Sequence, residues 1–202
     1  TRLVIIDGVY SQDGDLSLLP EIISLCKTHE AMLMLDDAHG IGVMGANGRG
    51  TAEHFNCLGQ VDIITGTFSK SFGCVGGFAA ASKKIIQYLK FYADSNVFSA
   101  APTPQVTASI LKALEIIKKE PAIRARLWEN TDYLRSRLTT EGFDIGKSVS
   151  PIFPIMIRDN KKVYEIAKML QEKGIFTIGI VYPAVRTKEA RLRVSVLATH
   201  EH

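Results

Sequence analysis

The chain has 202 residues, 46% of them apolar and 22% charged, and a net charge of +3 in which both signs are interspersed. That balance is ordinary for a globular protein, and without a long basic run it argues against nucleic acid as a partner. The three cysteines, Cys26, Cys57 and Cys74, are odd in number and lack CxxC spacing, which argues against a disulfide framework and fits a reducing cytoplasm.

No apolar run approaches bilayer length, and no charged-then-apolar leader opens the sequence. Thr1 runs straight into the apolar Leu3-Val4-Ile5-Ile6, and the chain stops at His200-Glu201-His202. The reading is a cytoplasmic protein and a piece of something longer.

Leu3 to Ile6 reads as a strand buried on both faces of a parallel sheet. The Asp-Gly pairs of Asp7-Gly8 and Asp13-Gly14 mark turns. Leu18, Leu19, Ile22, Ile23 and Cys26 recur at helical spacing, with Pro20 admissible in the first turn. Ala31 to Leu35 is the next strand, and strand, helix and strand within about thirty residues imply a right-handed parallel crossover.

Gly42, Gly45, Gly48 and Gly50 suggest a long flexible loop before a strand at Val61 to Thr65. Beyond Gly77 the pattern turns helical at Ile85, Ile86 and Leu89. A longer helix is expected from Thr103 to Lys119, with a joint at Glu120-Pro121 and another helix up to Gly142. Ile152 to Ile157 and Ile175 to Val181 read as strands around a helix at Val163 to Leu170. Arg191 to Val196 alternates as an antiparallel strand with one wet face.

The fold class is therefore α/β. A mostly parallel sheet domain occupies residues 1–120 with its connecting helix, and a smaller α/β domain occupies residues 121–202.

Three strands in succession end in polar clusters: Ser11, then Asp36 with His39, then Thr67 with Lys70. In a parallel sheet such clusters share one edge, where α/β sheets bind ligands. A lysine in a partly desolvated site can form a Schiff base with a carbonyl, although most lysines are solvated surface groups. Asp36 at a strand end can pair with a protonated pyridine nitrogen, and His39 can bond a phenolic oxygen; the alternative for Asp36-Asp37 is a cap or a turn.

Thr67 and Ser69 can hold a phosphate at the turn before a helix. The stretch is neither a nucleotide P-loop, since Ser69 and not glycine precedes Lys70, nor a G-x-G-x-x-G fingerprint. No His or Cys spacing completes a metal site with Asp36 and His39.

Taken together, Tyr10-Ser11-Gln12-Asp13-Gly14-Asp15, Asp36-Asp37-Ala38-His39-Gly40, Thr67-Phe68-Ser69-Lys70-Ser71-Phe72-Gly73 and Arg191-Leu192-Arg193 with Ala198-Thr199-His200 resemble the α-oxoamine synthases. These are pyridoxal-phosphate enzymes of the aspartate aminotransferase fold that condense an amino acid with an acyl-CoA. The resemblance runs over essentially the whole chain and corresponds to the C-terminal half of a typical member.

It implies pyridoxal 5'-phosphate as cofactor, with Lys70 as Schiff-base lysine and acid/base, Asp36 on the pyridine nitrogen, His39 on the phenolic oxygen, Thr67 on the phosphate and Ser11 near the ring. It further implies that Arg193 grips the amino-acid carboxylate while Arg191 is a surface charge. Ser99, after Phe98, would reach the phosphate site of the neighbouring subunit in a homodimer.

The substrates implied are serine, alanine or glycine with an acyl-CoA. Leu127-Trp128-Glu129-Asn130 and Val194-Ser195-Val196-Leu197 are similar to bacterial serine palmitoyltransferases. Asp36 to Gly42 with Gly48-Arg49-Gly50 is equally similar to 8-amino-7-oxononanoate synthases. A 2-amino-3-ketobutyrate CoA ligase or a fold type I aminotransferase is a more remote alternative. The 202-residue piece alone is expected to be inactive.

Overall fold

The computed structural model describes residues 2–201. The chain divides into two compact units, one formed by the segment ending at Val9 together with Leu16–Pro121, the other by Tyr10–Asp15 together with the chain from Ala122 onward.

The first unit is built on β1 (Arg2–Asp7), α1 (Leu19–Thr28), β2 (Ala31–Asp36), α2 (Thr51–His54), β3 (Ile63–Thr67) and β4 (Gly77–Ala81), followed by α3 (Lys83–Tyr92), α4 (Asp94–Val97) and α5 (Pro104–Lys119). Its sheet has the order β1-β2-β3-β4. The first two pairings are parallel, with Asp7 beside Asp36 and Asp36 beside Thr65.

Leu19, Ile23 and Cys26 form the buried stripe of α1 and pack on Leu33, Leu35, Ala52 and Cys57. Each large side chain so buried contributes roughly 1.5–3 kcal/mol. Cys26, Cys57 and Cys74 are all free thiols.

The helix expected beyond Gly77 is α3, which carries Ile85, Ile86 and Leu89, but an unexpected strand, β4, comes before it. Its sequence, Gly77-Phe78-Ala79-Ala80-Ala81, has low strand propensity, and what makes it a strand is antiparallel pairing with β3 from Ile63–Ala81 to Thr67–Gly77. Ser82 then caps α3, accepting from Ile85 N at 3.4 Å. The Lys70 stretch is thus the connection of a β-hairpin and not a turn into a helix.

The glycine-rich loop after β2 also departs from expectation, because side chains hold it. Glu53 accepts from the backbone of Asn47 and Arg49 at 2.9 and 3.0 Å, and Met44 is fully buried.

The second unit contains α6 (Pro121–Thr140, all but its first residue), β5 (Ile152–Met156), α7 (Asn160–Glu172), β6 (Ile178–Ile180), a 3-10 turn at Thr187–Glu189, and β7 (Arg191–Ser195). Its antiparallel sheet has the order β5-β7-β6, so β7 is the central strand. Leu192 faces a core of Val163, Ala190, Ile155, Ile166 and Leu170.

Arg191 is not the surface charge expected. Only 3% of it is exposed, its Nε donates to Glu189 O at 2.7 Å, and its guanidinium bonds the Asp13 carboxylate. Alternation along β7 placed it on the polar face, but Asp13 comes from a segment 178 residues away. Nothing local to Arg191 announces that partner. No helix among the described residues is long and apolar enough to cross a membrane.

Candidate functional site

Within the first unit, parallel register brings Asp7, Asp36 and Thr65 side by side at the carboxyl end of the sheet. The backbone continues from Thr65 through Thr67 into the Lys70 turn. That turn is closed by Phe68 N to Gly76 O at 2.9 Å, Cys74 N to Phe68 O at 2.7 Å and Gly73 N to Lys70 O at 3.0 Å.

Gly66 has a packing reason, since a Cβ there would lie 2.7 Å from the Phe78 ring. Phe78 in turn packs on Phe68, whose ring also meets Phe72 edge-on at 5.2 Å. The aromatic cluster anchors the base of the turn that carries Lys70.

Thr67 Oγ1 and Ser69 Oγ are 2.7 Å apart, and Thr67 Oγ1 also accepts from Ser69 N at 3.2 Å. The Thr67 hydroxyl also lies 3.1 Å from Gly76 O as a donor, so the two hydroxyls adjoin each other across the mouth of the hairpin. Ser71 Oγ donates to Ile41 O at 2.7 Å and ties the far side of the turn to the loop after β2.

Asp36 and Asp37, adjacent in sequence, have different surroundings. One oxygen of Asp36 accepts from Ala38 N at 2.9 Å, a local turn bond, and its other oxygen accepts none among the described residues. Asp37 is fully buried and accepts from Thr51 N at 2.7 Å and Thr51 Oγ1 at 2.6 Å. Burial pushes the Asp37 carboxyl above its ordinary range, the Thr51 bonds oppose that shift, and the nearby Asp36 charge adds to it.

Asp7 did not stand out in the sequence, where it read as half of an Asp-Gly turn. Its carboxyl is raised by burial first and by Asp36 next, while the Lys70 ammonium draws it down. Asp7 thus feels both Asp36 and Lys70. His39 lies in the turn after β2, and Ser99 is exposed between α4 and α5.

The second unit holds the other two expected residues and joins them. Arg193 Nε donates to Ser11 O at 2.6 Å, and Arg193 Nη1 donates to Ser195 Oγ at 3.2 Å. Burial lowers the Arg193 pKa. Ser11 meets Arg193 through its backbone carbonyl. No cluster of three or more His, Cys, Asp or Glu among the described residues is arranged to hold a metal ion.

For a pyridoxal-type cofactor the donor set of the first unit fits. It brings together the chemistry of an amine, a carboxylate and two adjoining hydroxyls, all on the sheet edge or the hairpin that prolongs it.

Comparisons with known proteins identify the family of the chain. Residues 1–202 match the family model for aminotransferase class I and II. The chain is 47% identical over 199 residues to a serine palmitoyltransferase of Sphingobacterium spiritivorum, covering 98% of this chain and 50% of that protein. It is also 47% identical over 199 residues to an 8-amino-7-oxononanoate synthase of Petrotoga mobilis, covering 98% and 51%.

The solved structure of SPT with PLP internal aldimine superimposes with a TM-score of 0.94 at 33% identity, over 98% of this chain and 50% of that one. The chain spans about half the length of the curated relatives it matches. It belongs to the aminotransferase class I and II family.

Proposed function

We propose that the whole protein is a pyridoxal-phosphate-dependent acyl-CoA:amino acid C-acyltransferase of the α-oxoamine synthase type, acting on serine, alanine or glycine as a cytoplasmic homodimer. The observation that carries this reading is that Asp36 and the strand running into the Lys70 turn lie side by side on one sheet edge.

Pyridoxal phosphate, when bound, supplies an electron sink that stabilises negative charge at the amino-acid Cα. Lys70 would hold its carbonyl carbon covalently and, once released, take and return the Cα proton. The unengaged oxygen of Asp36 would pair with the ring nitrogen and keep it protonated. The Thr67 and Ser69 hydroxyls would donate to the phosphate, His39 would bond the phenolic oxygen, Ser11 would lie near the ring, and Ser99 would serve the partner subunit's phosphate site.

Arg193 would bind the substrate carboxylate. A guanidinium has five N–H donors, and two of them are taken by Ser11 O and Ser195 Oγ. The remaining three lie on the two terminal nitrogens, the end that meets a carboxylate in parallel paired bonds.

The serine palmitoyltransferase and 8-amino-7-oxononanoate synthase readings differ in amino acid and acyl chain, and the identities of 47% to each give neither an advantage. The deciding experiment pairs serine, alanine and glycine with short and long acyl-CoAs and measures thiol release. Serine with a long chain is the expected best pair, alanine with a dicarboxylic acyl chain would favour the second reading, and transamination without thiol release would overturn both.

A further inference from the structure

Two bonds tie the Tyr10–Asp15 segment to β7 in the second unit. Arg193 Nε reaches Ser11 O at 2.6 Å, and two residues along on both partners the Arg191 guanidinium bonds Asp13. Arg191 and Arg193 lie on the same face of β7, because side chains two apart in a strand point the same way. The two bonds therefore act in parallel between the same loop and the same strand.

They are not equivalent. Arg191 is 96% shielded at its side chain, whereas Asp13 is half exposed. The loop has its own closure, with Tyr10 N to Asp15 O at 3.0 Å and Gly14 N to Tyr10 O at 2.8 Å. Gly14 sits at φ +68°, and a Cβ there would lie 2.1 Å from Ile152 O. Within this seated loop Ser11 and Asp13 each bond an arginine of β7, Ser11 through its carbonyl and Asp13 through its side chain.

We propose that the Asp13–Arg191 ion pair is a positioning device for substrate recognition: it fixes the Ser11 carbonyl against β7 so that Arg193 is turned with its two terminal nitrogens toward the amino-acid carboxylate. This rests on the reading of Arg193 given above. Arg191 never touches substrate in this scheme. It acts through Ser11 and Arg193, and breaking it rotates the guanidinium without removing it.

The test uses the full-length protein loaded with pyridoxal phosphate. Two ligands are compared, the amino acid that the wild type turns over and the amine left when its carboxylate is removed, such as serine with ethanolamine or alanine with ethylamine. Asp13→Asn and Arg191→Gln are expected to raise the amino-acid KM about tenfold, in line with the rate losses that small misplacements cause. Their kcat, acyl-CoA KM and affinity for the amine should stay within twofold of wild type. Asp13→Glu, which keeps the charge, should recover most of the loss.

Equal weakening of amino acid and amine would mean that the pair merely holds the fold together, and would overturn the proposal. So would an unchanged amino-acid KM in Asp13→Asn alongside a large rise in Arg193→Gln. If Arg193→Gln itself leaves the amino-acid KM unchanged, the assignment of Arg193 fails first, and the proposal with it. Should Asp13→Asn not accumulate, Asp13→Ala at the same half-exposed position reads the same ratio.

Discussion

Asp37, with no exposed surface, accepts two hydrogen bonds from one residue, the backbone N and the hydroxyl of Thr51. Three glycines crowd the same carboxylate, since a Cβ on Gly8, Gly40 or Gly50 would fall within 2.5 Å of an Asp37 oxygen. The neighbouring Asp36 is thereby left to face the sheet edge while Asp37 locks the loop behind it. A pair of identical residues thus splits into one anchor and one candidate ligand.

Replacing Thr51 with valine keeps the shape but removes the hydroxyl donor to Asp37. An unsatisfied buried acceptor costs about 1–3 kcal/mol, and urea unfolding should show a loss of that size. A variant as stable as wild type would mean that the bond is replaced by solvent.

The raised Asp37 carboxyl makes a signed prediction. Its folded-state pKa lies above the ordinary 3.8, so in the interval between the two values the folded chain holds more protons than the unfolded one. Its contribution is fully present below pH 3.8 and is lost as pH rises through the folded value. Asp7, raised for related reasons, acts with the same sign, whereas Glu53, held low by Asn47 and Arg49, acts with the opposite one. The difference in unfolding free energy between wild type and Asp37→Asn should therefore move in favour of the variant as pH climbs out of the acid range. Parallel curves for the two proteins would contradict this.

Gly66→Ala should destabilise the β3–β4 hairpin by about 1–3 kcal/mol, the usual cost of overpacking, because its Cβ would collide with the Phe78 ring. Gly59→Ala is the matched control for open space, since no atom lies within 4 Å of the added carbon. Its φ of +80° makes it a backbone-strain control as well. A comparison of melting temperatures separates collision from strain. If Gly66→Ala melts at the wild-type temperature, the packing argument fails.

Lys70→Ala in the full-length protein should abolish covalent cofactor attachment. Borohydride reduction of the wild type followed by peptide mass spectrometry should find the pyridoxyl group on Lys70. Label on any other lysine would refute the assignment, whatever the activity.

Periodicity alone was enough to place β1, α1, β2 and β3, because apolar residues at helical or continuous spacing leave a direct trace in the sequence. β1 is nonetheless not the strand buried on both faces that its all-apolar run suggested, since Val4 and Ile6 pack on the core while Leu3 and Ile5 on its other face are 49% and 61% exposed. The polar residues at their ends, Asp36, Thr67 and Lys70, were readable for the same reason, since strand ends in a parallel sheet share an edge. β4 was not readable: Gly77 to Ala81 becomes a strand by pairing with β3, and pairing energy is not a local property.

The burial of Arg191 and the coupling of Asp7 to Lys70 and Asp36 likewise depended on partners brought together by the fold. The Lys70 stretch itself carried its chemistry in its composition, a lysine among hydroxyls and glycines. Only the tertiary structure decided that it spans a hairpin, because β3 offers β4 a ladder of backbone groups that a helix starting at Gly77 would have left unpaired.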